Sequence, residues 1–517
     1  MRLKLVSLGM VMLVITLLCT AAVPAHDPEI TFKLGNENLM AKYEHLIVGK
    51  KVGLITNQSG VNSKGKSTIE LLAADPRVEL MALYGPEHGI DGQAAAGAYV
   101  ESYIHPELGI PVYSLYGPTR KPTAEMLANV DVLLFDIQDI GARTYTYIST
   151  LNYCQQAAKE YGKTLIVLDR PNPLGGLIVE GPVLEEAFKS FVGVDILPMA
   201  HGMTVGELAL YFNRNIGADI RIVPMEGYQR SMIYQDTNLP WIATSPNIPD
   251  LDSVFGYQAT GLGENTGIFQ ADKFKWIGGK GIDPEKYARL LKGAGLAGVT
   301  FIPEYRGSAG GVSLKITDYR AFNPAKTGIY ALTYARSLNN FKVPKSTAQI
   351  VNMFDKIMGT DKFGLYLEQG LSPEQIVAKY TPRLESFKKE RGKYLIYGED
   401  PYRAVVVDVG GKRIDFDVLP YIDIHNRVMV PLRAIGEALG AKIDWHEGTR
   451  TVRFTKGEKE VLFVIDQTTA LVNGKMMEMD TSPLIKNSRT LLPLRYVGEF
   501  LGAEVDWLGQ SSTVKIN

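Results

Sequence analysis

The pattern of apolar and polar positions between residues 51 and 170 alternates between two periods. Short continuous runs of Val, Ile and Leu are typical of strands buried on both faces, and longer stretches with helical spacing lie between them. Because strand and helix signals alternate, the pattern predicts a doubly wound α/β fold with a parallel sheet. The predicted strands are 51–56, 78–84, 131–137 and 164–169, and the predicted helices are 67–74 and 145–160.

A mixed pattern continues from residue 200 to about residue 400. Helical spacing at 206–213 and 284–291, with strand-like runs at 300–302 and 312–316, predicts a second α/β subdomain. The stretch 241–280 is dense in Gly, Pro, Asn and aromatic residues, which predicts long ordered loops of the kind that carry function. Because a chain of 517 residues is too long for a single core, we expect one subdomain over 26–199 and another over 200–400.

The last part of the chain contains an internal repeat. Arg433, in a Val-Pro-Leu-Arg segment, recurs as Arg495 in a Leu-Pro-Leu-Arg segment, and Trp445 of an Asp-Trp pair recurs as Trp507. Both offsets are 62 residues, so the spacing holds across the motif. Each copy predicts a strand, a short helix and a second strand with the Asp-Trp pair. We expect the two copies to share one small α+β domain over 403–517.

The N-terminus has the pattern of a cleavable export signal. Arg2 and Lys4 precede an apolar run over 5–18, and Val-Pro-Ala at 23–25 offers small residues for cleavage. The run is shorter than the roughly 20 residues that a membrane-spanning helix needs. We therefore expect a signal peptide over 1–25 and a mature protein that is secreted or associated with the cell wall, with an uncleaved anchor as the alternative.

Net charge and cysteine content narrow the class of protein further. The formal net charge is −1 and no basic stripe is present, so nucleic acid is not an expected partner. Removal of the leader leaves Cys154 as the one cysteine, which cannot form an intramolecular disulfide. Cys154 lies in a helical pattern, which favours packing over a nucleophilic role.

Polar, turn-forming segments follow each of the four predicted strands. In an open parallel sheet, ligands bind outside the carboxyl ends of the strands, so these segments converge on one rim. Ordinary strand-to-helix turns would account for one or two of them, but together they supply carboxylate, imidazole, amide and guanidinium groups. The candidate side chains at this rim are Asn57, Glu87, His88, Gln138, Asp139, Arg143, Arg170 and Asn172.

Glu87 is the strongest candidate for a catalytic group. Pro86 fixes the backbone before it, and Gly85 and Gly89 permit tight turns on either side, so this carboxyl group would be held rigidly. A positioned carboxylic acid is the usual proton donor to a glycosidic oxygen, and a second carboxylate then acts as base or nucleophile. The candidates for that second group are Asp139 and Glu264, followed by Asp91, Asp136 and Asp169.

Three further residues are ambiguous. Arg143 and Tyr145 would suit a polar, aromatic wall for a sugar, although Tyr145 would equally suit helix packing. His201 precedes Thr204 and Glu207, whose spacing predicts a capping box. Because the capping box does not account for His201, this residue is a candidate for substrate binding. The chain has no G-x-S-x-G, H-E-x-x-H, P-loop or dinucleotide-binding glycine motif, so neither a metal, a cofactor nor a nucleotide is expected.

Five segments together resemble the exo-β-N-acetylmuramidase family, over about residues 40–400. They are Gly-Leu-Ile-Thr-Asn-Gln-Ser-Gly at 53–60, Tyr-Gly-Pro-Glu-His-Gly at 84–89, Phe-Asp-Ile-Gln-Asp-Ile-Gly-Ala-Arg at 135–143, Asp-Arg-Pro-Asn-Pro-Leu-Gly at 169–175 and Ser-Pro-Asn-Ile-Pro at 245–249. The resemblance implies a Rossmann-like N-terminal subdomain without a nucleotide, and a site in the cleft that the second subdomain closes. It also implies release of terminal N-acetylmuramic acid from the non-reducing ends of peptidoglycan fragments.

The same resemblance assigns roles to two residues. The glutamate of the Gly-Pro-Glu-His-Gly segment is the leading catalytic candidate of the family, which here is Glu87, and Asn247 of the fifth segment joins the candidate substrate-binding residues. Two other functions stay open from the residues alone. One is a non-catalytic protein that binds wall fragments, and the other is a hydrolase that cleaves an amide bond of the same substrate.

The repeated tail is similar to the domain named after the N-terminal region of copper amine oxidases. That name does not imply copper here, since the tail contains only His425 and His446 and no cysteine. The similarity is compatible with attachment to the cell wall or with a spacer, and a purely structural appendage is the alternative.

Overall fold

The structure, a computed structural model, describes residues 32–398, 405–414, 416, 420–422, 427–486, 489–508 and 513–517. The predicted signal peptide over 1–25 lies outside the described residues. Among the helices in the described ranges, none combines the length and the apolar character that crossing a membrane would need.

Seven strands form the first sheet. They are β1 (Lys51–Thr56), β2 (Glu79–Gly85), β3 (Tyr103–Ile104), β4 (Pro111–Ser114), β5 (Val132–Asp136), β6 (Thr164–Leu168) and β7 (Ile220–Val223). They lie in the order β3-β4-β2-β1-β5-β6-β7. The short edge strand β3 runs antiparallel to β4, and the other neighbours pair in parallel.

The parallel strands of this sheet follow the Rossmann order. The chain builds outward from β1 through β2 to β4, and then returns to the other side of β1 to build β5, β6 and β7. The prediction of a parallel, Rossmann-like sheet is therefore confirmed. Open sheets of this kind bind ligands where the strand order reverses, which is between β1 and β5. The last strand, β7, comes from beyond residue 199, where we placed the end of the first subdomain.

Four helices cover the two faces of the first sheet. Helix α4 shows how local sequence sets their ends, because Thr204 Oγ1 accepts a hydrogen bond from Glu207 N at 3.2 Å and the Glu207 carboxylate accepts one from Thr204 N at 3.0 Å. The predicted capping box is thus confirmed, and Gly217, at φ 65°, ends the helix. The helices are α1 (Gly35–Lys42), α2 (Thr68–Ala73), α3 (Tyr147–Glu160) and α4 (Val205–Ile216).

The second sheet is antiparallel. Its strands are β8 (Ile268–Ala271), β9 (Trp276–Lys280), β10 (Val299–Arg306) and β11 (Ala309–Ile316), in the order β10-β11-β9-β8. Three helices accompany it, and they are α5 (Leu251–Thr260), α6 (Pro284–Gly293) and α7 (Pro324–Asn339).

The prediction of long loops over 241–280 is wrong, because this stretch contains α5, β8 and β9. Its glycines serve close packing. A side chain on Gly256 would meet the carbonyl oxygen of Phe274 at 2.1 Å, and one on Gly278 would meet a backbone carbonyl of β11 at 2.3 Å. Asp250 caps the start of α5 with its side chain. This stretch has the glycine content of a loop because its helix and its hairpin pack too closely for larger residues.

One apolar cluster joins the two sheets. It continues from Phe135 of the first sheet through Phe255 of α5 to Leu384 at the C-terminal side. The opposite face of the first sheet packs separately against α1 and α2, for example through Leu39 and Leu72. Because the two expected subdomains share a core, the rim of the first sheet is held against the second sheet. Three more helices complete this part, α8 (Met353–Met358), α9 (Lys362–Glu368) and α10 (Pro373–Arg391).

The repeated tail has its own apolar cluster, built from both copies of the motif. Each copy forms a strand, a short helix and a strand, as predicted. The described strands are β12 (Val406–Val409), β13 (Lys412–Arg413), β14 (Tyr421–Ile422), β15 (Val428–Pro431), β16 (Lys442–His446), β17 (Thr451–Lys456), β18 (Lys459–Val464), β19 (Thr469–Val472), β20 (Lys475–Glu478), β21 (Leu484–Lys486), β22 (Arg489–Pro493), β23 (Val505–Leu508) and β24 (Thr513–Ile516), and the helices are α11 (Leu432–Ala438) and α12 (Leu494–Phe500). Within the described residues, short 3₁₀ helices lie at Glu44–Leu46, Glu186–Phe188, Tyr234–Thr237, Gly392–Tyr394 and Glu447–Thr449.

Candidate active site

Glu87 lies just past the end of β2, where neighbouring groups hold its carboxylate. The backbone N–H of Gly97 donates to Oε1 at 2.8 Å, and the hydroxyl of Thr146 donates to Oε2 at 2.5 Å. The hydroxyl of Tyr116 faces the same carboxylate, and burial followed by this negative charge raises the pKa of Tyr116. The structure thus fixes Glu87 in one orientation at the rim, with 9 % of its surface exposed.

Thr146 occupies the N-cap position of α3, yet its hydroxyl does not cap the helix. A threonine in this position ordinarily accepts a hydrogen bond from the first turn, which is worth about 1 kcal/mol. Here the hydroxyl is directed to Glu87 instead. The N-cap threonine thus binds a carboxylate at the sheet rim and does not cap its own helix. Departures of this kind from local sequence preference are typical of functional sites.

His88 shapes the loop that returns to Glu87. Its backbone is in the left-handed region, at φ 72°, and its Nδ1 lies 2.7 Å from the carbonyl oxygen of Ala94. Because a carbonyl oxygen only accepts, we assign the proton to Nδ1, which leaves Nε2 able to accept. The edge of the ring meets Tyr147 at a centroid distance of 6.5 Å. His88 therefore fixes the loop that leads to Gly97, and the N–H of Gly97 donates to Glu87.

A cleft of about 480 Å³ opens between the rim and the second sheet. Thr144 and Ala96 line it from the rim, Tyr257 lines it from α5, and Phe274 lines it from the turn between β8 and β9. Its volume is in the range of small-molecule sites. Glu264 lines the same cleft and is exposed.

Tyr257 lies within electrostatic reach of three candidate carboxylates. Its hydroxyl accepts a hydrogen bond from Thr144 Oγ1 at 3.2 Å. Burial raises the pKa of Tyr257 to about 12, and the negative charges of Glu87, Asp139 and Glu264 add to the increase. The phenol therefore stays protonated at neutral pH, and it can donate its proton to a group in the cleft.

Asp139 forms a buried pair with His201. Its Oδ2 accepts a hydrogen bond from Gly141 N at 2.7 Å and lies 3.4 Å from His201 Nε2. The other ring nitrogen, Nδ1, accepts from the backbone N–H of Met203 at 3.2 Å, so the proton of a neutral imidazole lies on Nε2 and faces Asp139. Both side chains are nearly inaccessible, so this pair lies behind the wall of the cleft.

The structure places the guanidinium of Arg143 away from the cleft. Its side chain is fully buried and donates to the carbonyl oxygens of Pro182 and Leu197, at 2.8 and 2.9 Å, and to that of Ile357. Burial lowers the pKa of Arg143 to about 9. Where we expected a residue that contacts substrate, we find one that joins three backbone segments.

Two further rim residues also turn inward. Arg170 forms a buried ion pair with Asp136 and donates to the carbonyl oxygen of Val61 at 2.9 Å. The amide of Asn172 donates to the carbonyl oxygen of Met203 at 3.1 Å. Some of the polar residues at the strand ends therefore stabilise the loops, and they are not part of the cleft.

Asn57, Gln138 and Tyr145 are buried, and their polar atoms bind other groups of the protein. Asn57 Oδ1 accepts from the backbone and the hydroxyl of Ser59, and Gln138 Nε2 donates to two carbonyl oxygens. Tyr145 donates to Thr244 Oγ1 at 2.8 Å, and its ring packs edge-on against that of Tyr257. Tyr145 therefore supports the cleft wall through Tyr257, while Asn247 lines the cleft directly and is exposed.

Asp169 is buried at the start of α4. It accepts hydrogen bonds from Gly206 N at 2.6 Å, from Thr204 Oγ1 at 2.9 Å and from the Tyr397 hydroxyl at 2.6 Å. Burial raises its pKa to about 7, and the charge of Glu207 contributes, while the hydrogen bonds oppose the shift. This carboxyl group fastens the C-terminal end of the larger part to the first sheet.

Sequence reasoning missed Tyr257, Thr146 and Thr144. Tyr257 lies in α5, within the stretch that we predicted as loops, and the spacing of Asp250 and Ser253 as an N-cap pair would have revealed that helix. The two threonines lie between Arg143 and α3 and carry no pattern of their own. Among the described residues, no group of three or more His, Cys, Asp or Glu is placed to hold a metal ion.

Three segments of the chain match protein-family models. Residues 52–252 match the N-terminal domain of the exo-β-N-acetylmuramidase NamZ, and residues 255–397 match the C-terminal domain of the same family. Residues 408–516 match the copper amine oxidase N-terminal domain.

Two curated proteins are similar in sequence. The peptidoglycan β-N-acetylmuramidase NamZ of Bacillus subtilis strain 168 is 43% identical over 388 residues, which are 72% of this chain and 92% of that protein. A protease inhibitor of Brevibacillus choshinensis is 25% identical over 115 residues, which are 22% of this chain and 35% of that protein.

Two solved structures of DUF1343-family proteins from Bacteroides fragilis share the fold. One is 36% identical with a TM-score of 0.65, and the match covers 72% of this chain and 100% of that protein. The other is 27% identical with a TM-score of 0.56, and the match covers 71% of this chain and 99% of that protein.

Proposed function

Because the chain belongs to the exo-β-N-acetylmuramidase family, we propose that it releases terminal β-linked N-acetylmuramic acid from the non-reducing ends of peptidoglycan fragments. The observation that carries this proposal is the position of Glu87. Gly97 and Thr146 hold its carboxyl group on the rim of a Rossmann-like sheet, and their neighbours Ala96 and Thr144 line a sugar-sized cleft.

We assign Glu87 the role of proton donor. As the bond between the sugar carbon and the glycosidic oxygen breaks, Glu87 protonates that oxygen. The water that adds to the sugar carbon gives up one proton to a carboxylate of the site. Fixed hydrogen bonds to both carboxyl oxygens reduce the motion of this group before the reaction. A non-catalytic binder of wall fragments would not need a carboxyl group held in this way.

Glu264 and Asp139 differ in exposure, which separates their proposed roles. Glu264 lines the cleft and is exposed, so its carboxylate can reach water or substrate. Asp139 is buried against His201 and Gly141, so it acts through its neighbours as a positioning residue. We therefore propose Glu264 as the second carboxylate of the reaction, with Tyr257 as a hydrogen-bond donor between the two sides of the cleft.

The proposed substrate lies outside the cell membrane, and this agrees with the proposed export signal over 1–25. We propose that the mature protein is secreted or associated with the wall. The tail over 403–517 is the part that would hold it there.

Hydrolysis of a chromogenic β-N-acetylmuramide, measured beside the β-N-acetylglucosaminide analogue, tests the proposed activity. We expect release of the chromophore from the muramide and little from the glucosaminide. With muropeptide fragments, the expected product is free N-acetylmuramic acid. Free peptide among the products would instead indicate an amide-cleaving hydrolase, and no product from any of these substrates would contradict the proposal.

A further inference from the structure

The two copies of the tail motif are related by an approximate two-fold axis. Val430 of β15 pairs with Leu492 of β22, and these residues are 62 positions apart, the offset of the repeat itself. The flanking pairs, Met429 with Pro493 and Pro431 with Leu491, exchange under the same offset. The motif therefore places its two Asp-Trp strands in equivalent positions, and any difference between their surroundings is specific to one copy.

The two tryptophans pair with equivalent valines. Trp445 lies opposite Val452, and Trp507 lies opposite Val514. Residues directly opposite each other in a sheet share a face, and both valines are buried in the core of the tail. Each indole therefore stands on the core-facing side of its strand.

The two indoles differ in exposure. Trp445 is half-buried against the core, and its Nε1–H donates to Glu447 Oε2 at 2.6 Å. Trp507 has 41% of its surface exposed, although it occupies the equivalent position. The second copy thus presents a large aromatic surface that the first copy uses for packing.

Trp507 lines a groove of about 330 Å³ together with apolar side chains and two arginines. Leu494 and Val505 contribute apolar surface. Arg427 and Arg495 contribute guanidinium groups, and both are engaged with carboxylates, Arg427 with Asp480 and Arg495 with Glu499 at 3.7 Å. Because each of these cations faces an anion, the groove carries little net charge.

We propose that this groove binds the sugar rings of a glycan strand. An exposed indole offers a flat apolar surface for the C–H face of a sugar, and planar guanidinium groups at the edge donate to its hydroxyl and acetamido oxygens. The near-neutral groove favours the sugar chain over a strongly charged polymer. This inference rests on the proposed glycan substrate. Binding by the tail would keep the cleft close to the insoluble wall. Tethering of this kind raises the local concentration of glycan strand ends at the cleft.

The test is co-sedimentation of the full-length protein with purified insoluble peptidoglycan, in the inactive Glu87→Gln background. We expect Trp507→Ala to weaken binding about tenfold, as truncation of a central aromatic anchor does, and Arg495→Ala to weaken it less. The matched control is Met476→Ala, which removes an apolar side chain of the same tail that is 69% exposed and lies outside the groove. We expect the control to bind like the parent protein.

Turnover of a soluble chromogenic muramide separates this inference from the proposed activity. In the otherwise wild-type enzyme, Trp507→Ala is expected to leave that turnover unchanged, and the thermal unfolding midpoint shows that the tail is still folded. Unchanged sedimentation of Trp507→Ala, or equal losses for Trp507→Ala and Met476→Ala, would overturn the glycan groove. Absence of turnover in the parent enzyme would overturn the activity and leave the sedimentation result to decide the groove by itself.

Discussion

The Thr146 hydroxyl donates a 2.5 Å hydrogen bond to Glu87 Oε2 from the N-cap position of α3, where it leaves the first turn of its own helix without a side-chain cap. This relationship couples the start of a long, buried helix to the carboxyl group at the rim of the sheet. It also gives the chain a simple way to hold that carboxyl group without placing a cation beside it.

Thr146→Val is expected to lower kcat about tenfold while it leaves the fold intact, since valine keeps the shape and removes the hydrogen bond to Glu87. Thr146→Ser is the control, because it keeps the hydroxyl, and we expect it to retain most of the activity. Steady-state kinetics on a soluble muramide measures both. Equal activities of the two variants would show that the hydrogen bond does not contribute to the reaction.

Tyr257→Phe is expected to lower kcat by about 10- to 100-fold, because it removes a hydroxyl donor that lines the cleft together with Glu264. Tyr145→Phe removes the hydroxyl of the neighbouring ring, which binds Thr244 inside the protein, and serves as the matched control. We expect the control to lower the unfolding midpoint slightly and to leave kcat close to that of the parent. If both variants lose activity equally, the hydroxyl of Tyr257 has no special role.

The roles proposed for Glu264 and Asp139 predict different effects of their substitution on kcat and on the unfolding midpoint. Glu264→Gln is expected to lose about 10²-fold or more in kcat with an unchanged unfolding midpoint, since this side chain is exposed and lines the cleft. Asp139→Asn is expected to lower both quantities, because it alters the buried contact with His201. Full activity of Glu264→Gln would contradict the role of Glu264 as the second carboxylate.

Asp169 predicts a pH dependence of stability. Its pKa is about 7 in the folded protein and near 3.8 in the unfolded chain, so between these values the folded state keeps a proton that the unfolded state has lost. Its contribution to stability is therefore complete below about pH 4 and decreases as the pH rises toward about 7. Denaturant unfolding over this range should show a steeper decrease for the parent than for Asp169→Asn, and equal slopes would contradict the assignment.

Much of the fold follows from the sequence, because strands buried on both faces give continuous apolar runs. The four strands predicted over the first sheet are present, and the rim that they define contains Glu87. The order of strands explains why a site is expected there even though no nucleotide motif is present. The outer strands β3, β4 and β7 of this sheet were not predicted, since short or partly exposed strands leave a weak periodic signal.

The composition of the site was harder to predict than its location. Arg143 and Arg170 follow buried strands just as Glu87 does, but a linear pattern does not reveal whether a side chain points into a cleft or toward buried carbonyl groups. Arg143 joins three backbone segments and Arg170 pairs with Asp136. Tyr257, in contrast, was hidden by glycines that serve close packing in a stretch with the composition of a loop.

The most direct measurement of the central claim compares Glu87→Gln with the parent enzyme on two substrates, an aryl muramide with an acidic phenol as leaving group and the natural muramyl-glucosamine linkage. A proton donor matters most when the leaving group is a poor one, so we expect a loss of about 10³-fold or more on the natural linkage and a much smaller loss on the aryl muramide. Equal turnover by the variant and the parent on the natural linkage, or equal losses on both substrates, would contradict the role of Glu87 as the acid.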